Sequence, residues 1–168
     1  MIRVLVSACL LGEEVRYNGA SALVSSPVLA RWLAEGRVIR FCPEVAGGLG
    51  VPRPAAEISG GGGDAVLDGQ ARVVTKAGAD VTASFLRGAH AALDAAAAQN
   101  VRLAILKDGS PSCASEAIYD GTFSGVTHDG RGVTAALLER HGIRVFSERH
   151  LPEAADYLHR LEQPSPPS

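Results

Sequence analysis

At 168 residues and 17.4 kDa the chain is long enough for one domain with a substantial core. Hydrophobic residues make up 46% of it, yet no apolar stretch approaches the roughly 18 residues that a membrane helix needs. A net charge of −2 and a pI near 6.2 give no electrostatic reason to bind nucleic acid or an anionic membrane.

Residues 2–6 predict a buried first strand, followed by a polar loop from Gly12 to Gly19. This N-terminus lacks the basic region, apolar region and cleavage site of a secretory signal, so a cytoplasmic protein with reduced thiols is expected. The first helix is well punctuated: Ser26 suits its cap, Pro27 its first position and Gly36 its end. Leu29, Trp32 and Leu33 fall at helical spacing, and residues 38–42 supply the second strand. Strand, helix and strand make a βαβ unit, which implies parallel pairing with a right-handed crossover.

The middle is less regular. Gly47, Gly48 and Gly50 bracket a tight loop, and Gly60 to Gly63 read as a flexible run. Residues 65–67 and 71–75 predict short strands turning at Asp68-Gly69. Asp80 suits the cap of an alanine-rich helix reaching about Gln99, with Phe85, Ala89, Leu93 and Ala96 on its buried face. A strand at 102–107, a helix at 133–140 ending by Gly142, a strand at 143–146 and a helix at 152–161 complete the pattern. One α/β domain over residues 1–163 is expected, with a disordered tail at 164–168. The fold class is a three-layer α/β/α sandwich with a mainly parallel, Rossmann-like sheet, and ligands collect beyond the carboxyl ends of such strands.

The only cysteines, Cys9, Cys42 and Cys113, each stand just past a β-type run, in loops rich in glycine or proline. A single cysteine is more often a small buried hydrophobe than a ligand. Three of them at strand ends, in odd number and widely spaced, suit neither that role nor a disulfide framework. Structural zinc favours closely paired ligands, and a fourth would have to come from a histidine, His128 being the best placed. A cysteine nucleophile with a histidine base would use one thiol of three. Three thiolates without a fourth partner suit a 4Fe-4S cluster with one iron open to substrate. Gly60 to Gly63 lack the Lys-Ser/Thr ending of a phosphate loop, and no G-x-G-x-x-G follows the first strand.

Several ordered segments carry a resemblance. They are Ser7 to Gly12 with Val15 to Gly19, Cys42 to Val45 with Gly47 to Leu49, Pro52 to Glu57, and Ser110 to Cys113. Tyr119 to Gly125 and Gly132 to Leu138 extend it, so that it runs from about residue 3 to residue 148. Together they resemble the bacterial family known as domain of unknown function 523, whose characterised members are thiouracil desulfidases. The resemblance implies a cluster held by Cys9, Cys42 and Cys113, and removal of sulfur from 2-thiouracil or a related thiolated base. It also favours Glu44 as the base, since that carboxylate lies two residues past a ligand; an ion pair with Arg16 or Arg53 is its other reading.

Ser110 is placed to position water or relay a proton, and Ser112 to donate to a cluster sulfur; the two roles are interchangeable at this level. Arg16 and Arg53 suit charge balance or substrate contact, although Glu57 offers either one a partner. Tyr17 and Phe123 suit stacking on a pyrimidine, against the commoner role of packing. Ala114 departs from the family, which commonly has Gly after the last cysteine, so a methyl group there bears on the loop's backbone angles. Two other functions fit the same cysteines: a non-catalytic sensor or carrier of a metal, cluster or sulfide, and a cluster-dependent hydro-lyase. Nothing in these patterns encodes an oligomeric state.

Overall fold

The computed structural model describes residues 1–164. The chain runs through β1 (Arg3–Ser7), a 3-10 turn at Ala8–Leu11, α1 (Pro27–Ala34), β2 (Val38–Phe41) and the short α2 (Pro43–Ala46). Next come β3 (Ala56–Ser59), α3 (Gly63–Leu67), β4 (Arg72–Thr75), α4 (Thr82–Ala98) and β5 (Val101–Leu106). β6 (Ala117–Tyr119), β7 (Thr127–Asp129), α5 (Val133–Arg140), β8 (Arg144–Ser147) and α6 (Leu151–Glu162) follow. Residues 165–168 of the expected tail lie outside the described residues.

Apolar runs with no polar alternation form strands covered on both faces. Val4, Leu5 and Val6 are all fully buried, each contributing on the order of 1.5–3 kcal/mol of apolar transfer. The resulting sheet has the order β2-β1-β5-β8, and every pairing in it is parallel. Because side chains alternate along a strand, Val4, Val6, Leu103 and Ile105 project to one face, against Leu29 and Trp32 of α1 and Leu151, Ala154 and Leu158 of α6. Leu5, Ala104 and Leu106 project to the other, against Ala92 and Ala96 of α4 and Ala135 and Leu138 of α5. The three-layer α/β/α arrangement with a parallel sheet is therefore present.

Local signals act as their chemistry predicts. The Ser26 hydroxyl accepts from the Val28 amide at 3.2 Å, and Pro27 opens α1. Asp80 stands one residue before the cap position of α4, which is Val81, and accepts from the Thr82 amide at 2.9 Å.

The region before α4 differs from expectation. Residues 63–67 form α3 rather than a strand, and β4 pairs antiparallel with β3, which the pattern had not revealed. Asp68-Gly69 is not a hairpin turn. Gly69 N–H bonds to Val66 O at 3.1 Å and Gln70 N–H to Ala65 O at 2.8 Å, which closes α3. A run this short has no readable period, so length and partners decide. Here Asp64, in the first turn, is held by Arg131 at 2.8 Å and Arg140 at 3.1 Å, tying α3 to α5. β6 and β7 make a second antiparallel pair. These two additions pack Ile58, Val66, Val73 and Ile118 with Phe85 and Ala89 of α4 and Val133 and Leu137 of α5, in a separate cluster.

Candidate active site

β2, β1 and β5 are neighbours, so their carboxyl ends lie side by side, and each leads to one cysteine. Cys9 sits in the 3-10 turn after β1, where its carbonyl accepts from Gly12 N–H at 3.2 Å and Ala22 N–H at 2.9 Å. Cys42 is the residue before α2, and its carbonyl closes the first turn from Ala46 N–H at 3.0 Å. Cys113 lies in the loop after β5, whose turn is fixed by the Ser110 hydroxyl accepting from Ser112 N–H at 3.0 Å and Cys113 N–H at 3.2 Å. The unpaired amides at the start of α5 then anchor that loop: Val133 N–H reaches Pro111 O and Thr134 N–H reaches Ser112 O, both at 2.8 Å.

The Cys42 side is held by close backbone approach. A Cβ on Gly88 of α4 would lie 2.0 Å from the Pro43 carbonyl oxygen, and one on Gly47 would lie 2.1 Å from that of Ser84. Only glycine at both positions lets α2 rest directly on α4.

All three thiols line one cavity of about 320 Å³, with Arg16, Tyr17, Glu44, Arg53, Glu57, Lys107, Ser110 and Tyr119 also on its wall. No histidine lines it, and His128 lies exposed on β7 with its ring against the Asp129 carbonyl. Among the described residues, no three His, Cys, Asp or Glu side chains close around a single metal ion. Burial pushes the Cys9 thiol up to about 11, and the neighbouring Cys42 adds to the rise. Cys42 is raised by burial too, against the amides of Val45 and Glu44. Cys113 is raised most, by burial and then by Glu44, Cys42 and Cys9, while the Ser7 hydroxyl works the other way. The three sulfur atoms thus oppose one another's ionisation. Only positive charge placed among them makes the thiolates favourable together.

Glu44 projects from the first turn of α2 with its side chain largely but not fully covered, and this burial raises its pKa against the opposing pull of Arg53 and Ser110. The Ser110 hydroxyl donates to Glu44 Oε2 at 3.4 Å, and Arg53 lies 3.5 Å from the same oxygen. The ion pair with Arg53 and the serine contact are therefore both present. Arg53 is only 5% exposed, donates to the carbonyls of Gly50 and Val15 at 3.0 Å each, and keeps a buried Nε with no partner. Arg16 has no side-chain hydrogen bond or ion pair among the described residues, although it lines the cavity. Tyr17 is exposed at the rim.

Ser112 and Phe123 stand elsewhere. The Ser112 hydroxyl is buried against Thr134 Oγ1 at 2.7 Å, and neither residue's side chain is part of the cavity wall. Ala114 is fully buried beside Ile118 and Val133, and Asn100 and Phe123 are the only non-glycine residues at positive φ among those described. The methyl group at position 114 is accommodated without unusual backbone angles. Glu57 pairs with neither arginine: its Oε1 accepts from Gly121 N–H at 3.0 Å and Phe123 N–H at 3.1 Å. Lys107, one residue past β5, and Tyr119, the last residue of β6, also line the cavity, and no motif in the sequence marks either as a site residue.

The molecule is thus an α/β protein whose parallel sheet ends in a thiol-lined cavity. The model of the 2-thiouracil desulfurase family matches residues 4–150. An uncharacterized protein of Bacillus subtilis, YbbK, is 48% identical over 148 residues, covering 88% of this chain and 97% of the relative. The solved structure of TudS, a 4Fe-4S-dependent thiouracil desulfidase, superposes with a TM-score of 0.87 at 52% identity, covering 95% of this chain and 99% of that one. The chain belongs to the 2-thiouracil desulfurase family.

Proposed function

We propose that this protein is a 4Fe-4S-dependent desulfidase that converts 2-thiouracil, or a related thiolated nucleobase, to uracil and hydrosulfide. The observation that carries the reading is the convergence of three thiols and the Glu44–Ser110 pair on one cavity. The donor set fits the cluster: three soft sulfurs lining one cavity, whose joint ionisation is opposed by burial and by one another and favoured by positive charge among them. Cys9, Cys42 and Cys113 would hold it, and with no other cysteine or histidine on the wall one iron is left for substrate. When bound, the cluster supplies a Lewis-acidic iron that accepts the soft sulfur and polarises the thiocarbonyl.

The protein's own groups supply the rest. Glu44 takes a proton from water as the water oxygen adds to the carbon bearing sulfur. The proton left on the added hydroxyl then goes to sulfur as the carbon–sulfur bond breaks, so that a carbonyl forms and sulfur departs as hydrosulfide, and the proton held by Glu44 passes to solvent; no electrons are exchanged. Ser110, donating to Oε2, and Arg53, beside the same oxygen, direct the other lobe of the carboxylate toward the incoming water. The cavity suits a small heterocycle and offers no basic track for a polynucleotide.

The test is anaerobic. Cluster-loaded protein given 2-thiouracil should release uracil and hydrosulfide in equal amounts. Glu44→Gln should keep its iron and lose activity by about 100-fold or more. Cluster binding without sulfide release would favour a carrier or sensor, and turnover of hydroxy acids instead would favour a hydro-lyase.

A further inference from the structure

Glu57 is held as though for a ligand. It sits on β3, outside the parallel sheet, and its side chain forms part of the cavity wall. One carboxylate oxygen, Oε1, accepts the backbone amides of Gly121 and Phe123, at 3.0 and 3.1 Å. The other, Oε2, makes no hydrogen bond and no ion pair among the described residues. The loop that fixes it is itself constrained. Phe123 adopts φ 57, unusual for an aromatic residue, and Gly121 has φ 91 with room for no side chain, since a Cβ there would come within 2.7 Å of Ile58 O. The cavity therefore has a pre-oriented anionic acceptor on the wall contributed by the added β-pairs. The cavity is also lined by Arg16, whose charge acts on Cys9 and whose guanidinium is unengaged among the described residues.

A ligand matching these groups offers an N–H to the carboxylate and a carbonyl oxygen to the guanidinium. A pyrimidine imide edge presents both. We propose that Glu57 is a specificity-determining residue: its Oε2 accepts a ring N–H of the base and so selects cyclic thioamides with a free N–H. The inference rests on the desulfidase reading for the identity of the ring, but not for the existence of the acceptor. It assigns to the β3 wall the recognition of the ring, and leaves the sulfur to the cysteine edge.

Uracil lacks sulfur, so its binding reports ring recognition apart from turnover. Calorimetry on anaerobically loaded protein should show uracil bound at least about tenfold more tightly than 1-methyluracil or 3-methyluracil, since a hydrogen bond to a charged acceptor is worth about 10- to 100-fold. Glu57→Gln retains an Oε1 for the two loop amides, so the loop stays in place. It should weaken uracil by about tenfold and reduce the methyl discrimination to less than about threefold. With 2-thiouracil, KM should rise while kcat changes little.

Equal binding of uracil and both methylated rings by the unmodified protein would overturn the inference, as would discrimination retained in Glu57→Gln or no uracil binding at all. Discrimination that depends on Glu57, in a protein that releases no sulfide, would support the inference while removing the desulfidase reading. Sulfide release that is indifferent to Glu57 and to ring methylation would do the reverse.

Discussion

Gly88→Ala tests how Cys42, a proposed cluster ligand, is positioned. Alanine is the better helix former by about 1 kcal/mol, so the substitution should stabilise α4 if there were space. There is none: the new methyl carbon would stand 2.0 Å from the Pro43 oxygen and 2.8 Å from its carbonyl carbon. An ordinary contact needs at least about 3.4 Å, so α2 and α4 must part by roughly 1.4 Å. Overpacking of this kind costs about 1–3 kcal/mol, leaving a net loss of up to about 2 kcal/mol after the propensity gain. For a chain this size that lowers Tm by up to about 8 °C.

The larger effect falls on the site. Metal–ligand distances tolerate about 0.2 Å, and α2 begins directly after Cys42. If α2 retreats, Cys42 leaves its place; if α4 retreats, Phe85, Ala89, Ala92 and Ala96 lose packing in two clusters. Thermal unfolding of the metal-free protein and iron content after anaerobic reconstitution separate the two. The expectation is a modest fall in Tm with a severe loss of iron. A Tm at or above that of the unmodified protein, with full iron, would refute the reasoning outright.

Three other outcomes are expected. Changing Cys9, Cys42 or Cys113 singly to Ser should each abolish the cluster's visible absorption, and full iron and acid-labile sulfide in any one variant would show that thiol to be dispensable. Ser110→Ala and Ser112→Ala should separate: the first lowers turnover by removing the donor to Glu44, whereas the second breaks a buried bond to Thr134, lowers stability by about 1 kcal/mol and leaves kcat close to normal. Stability should also fall in acid. Arg37 holds both Glu35 and Glu162 below the usual carboxylate range through hydrogen bonds and charge, so the stabilisation is present above their unfolded pKa and disappears as pH drops through the folded ones. Glu162→Gln should flatten the decline of Tm below about pH 5; an identical acid limb would discount that pair.

The parallel sheet was legible because its evidence is local. β1, β2, β5 and β8 are short apolar runs, and Ser26, Pro27 and Asp80 mark helix starts by hydrogen-bonding residues close in sequence. The positions of the three cysteines followed from strand ends alone. β3, β6 and β7 were not legible, since Ala-Glu-Ile-Ser, Ala-Ile-Tyr and the exposed Thr-His-Asp contain no apolar run like those of the sheet strands, and α3 was mistaken for a strand because five residues carry no period. Ser110 and Ser112 were inseparable in sequence. They part because a turn two residues long aims one hydroxyl at Glu44 and the other at Thr134. The setting of Glu57 depends on amides 64 and 66 positions further along, and no spacing rule encodes that.

The cavity is therefore built from two kinds of structure with different tolerances. The cysteine edge stands on β1 and β5, strands locked by two-sided burial, on the half-buried edge strand β2, and on glycine contacts that admit no added atom. Geometry there is fixed by the scaffold, as cluster ligands require. The opposite wall, with Glu57 and Tyr119, comes from small antiparallel pairs packed on the outer side of α4 and α5. Its apolar cluster has a membership distinct from the two that clamp the strands and meets one of them through the partly buried Leu93. A family keeping one chemistry while varying the ring it accepts would alter this wall and leave the cysteine edge intact. Exchanging β3 and the 121–123 loop between two relatives should then transfer ring preference without transferring, or destroying, the capacity to hold iron.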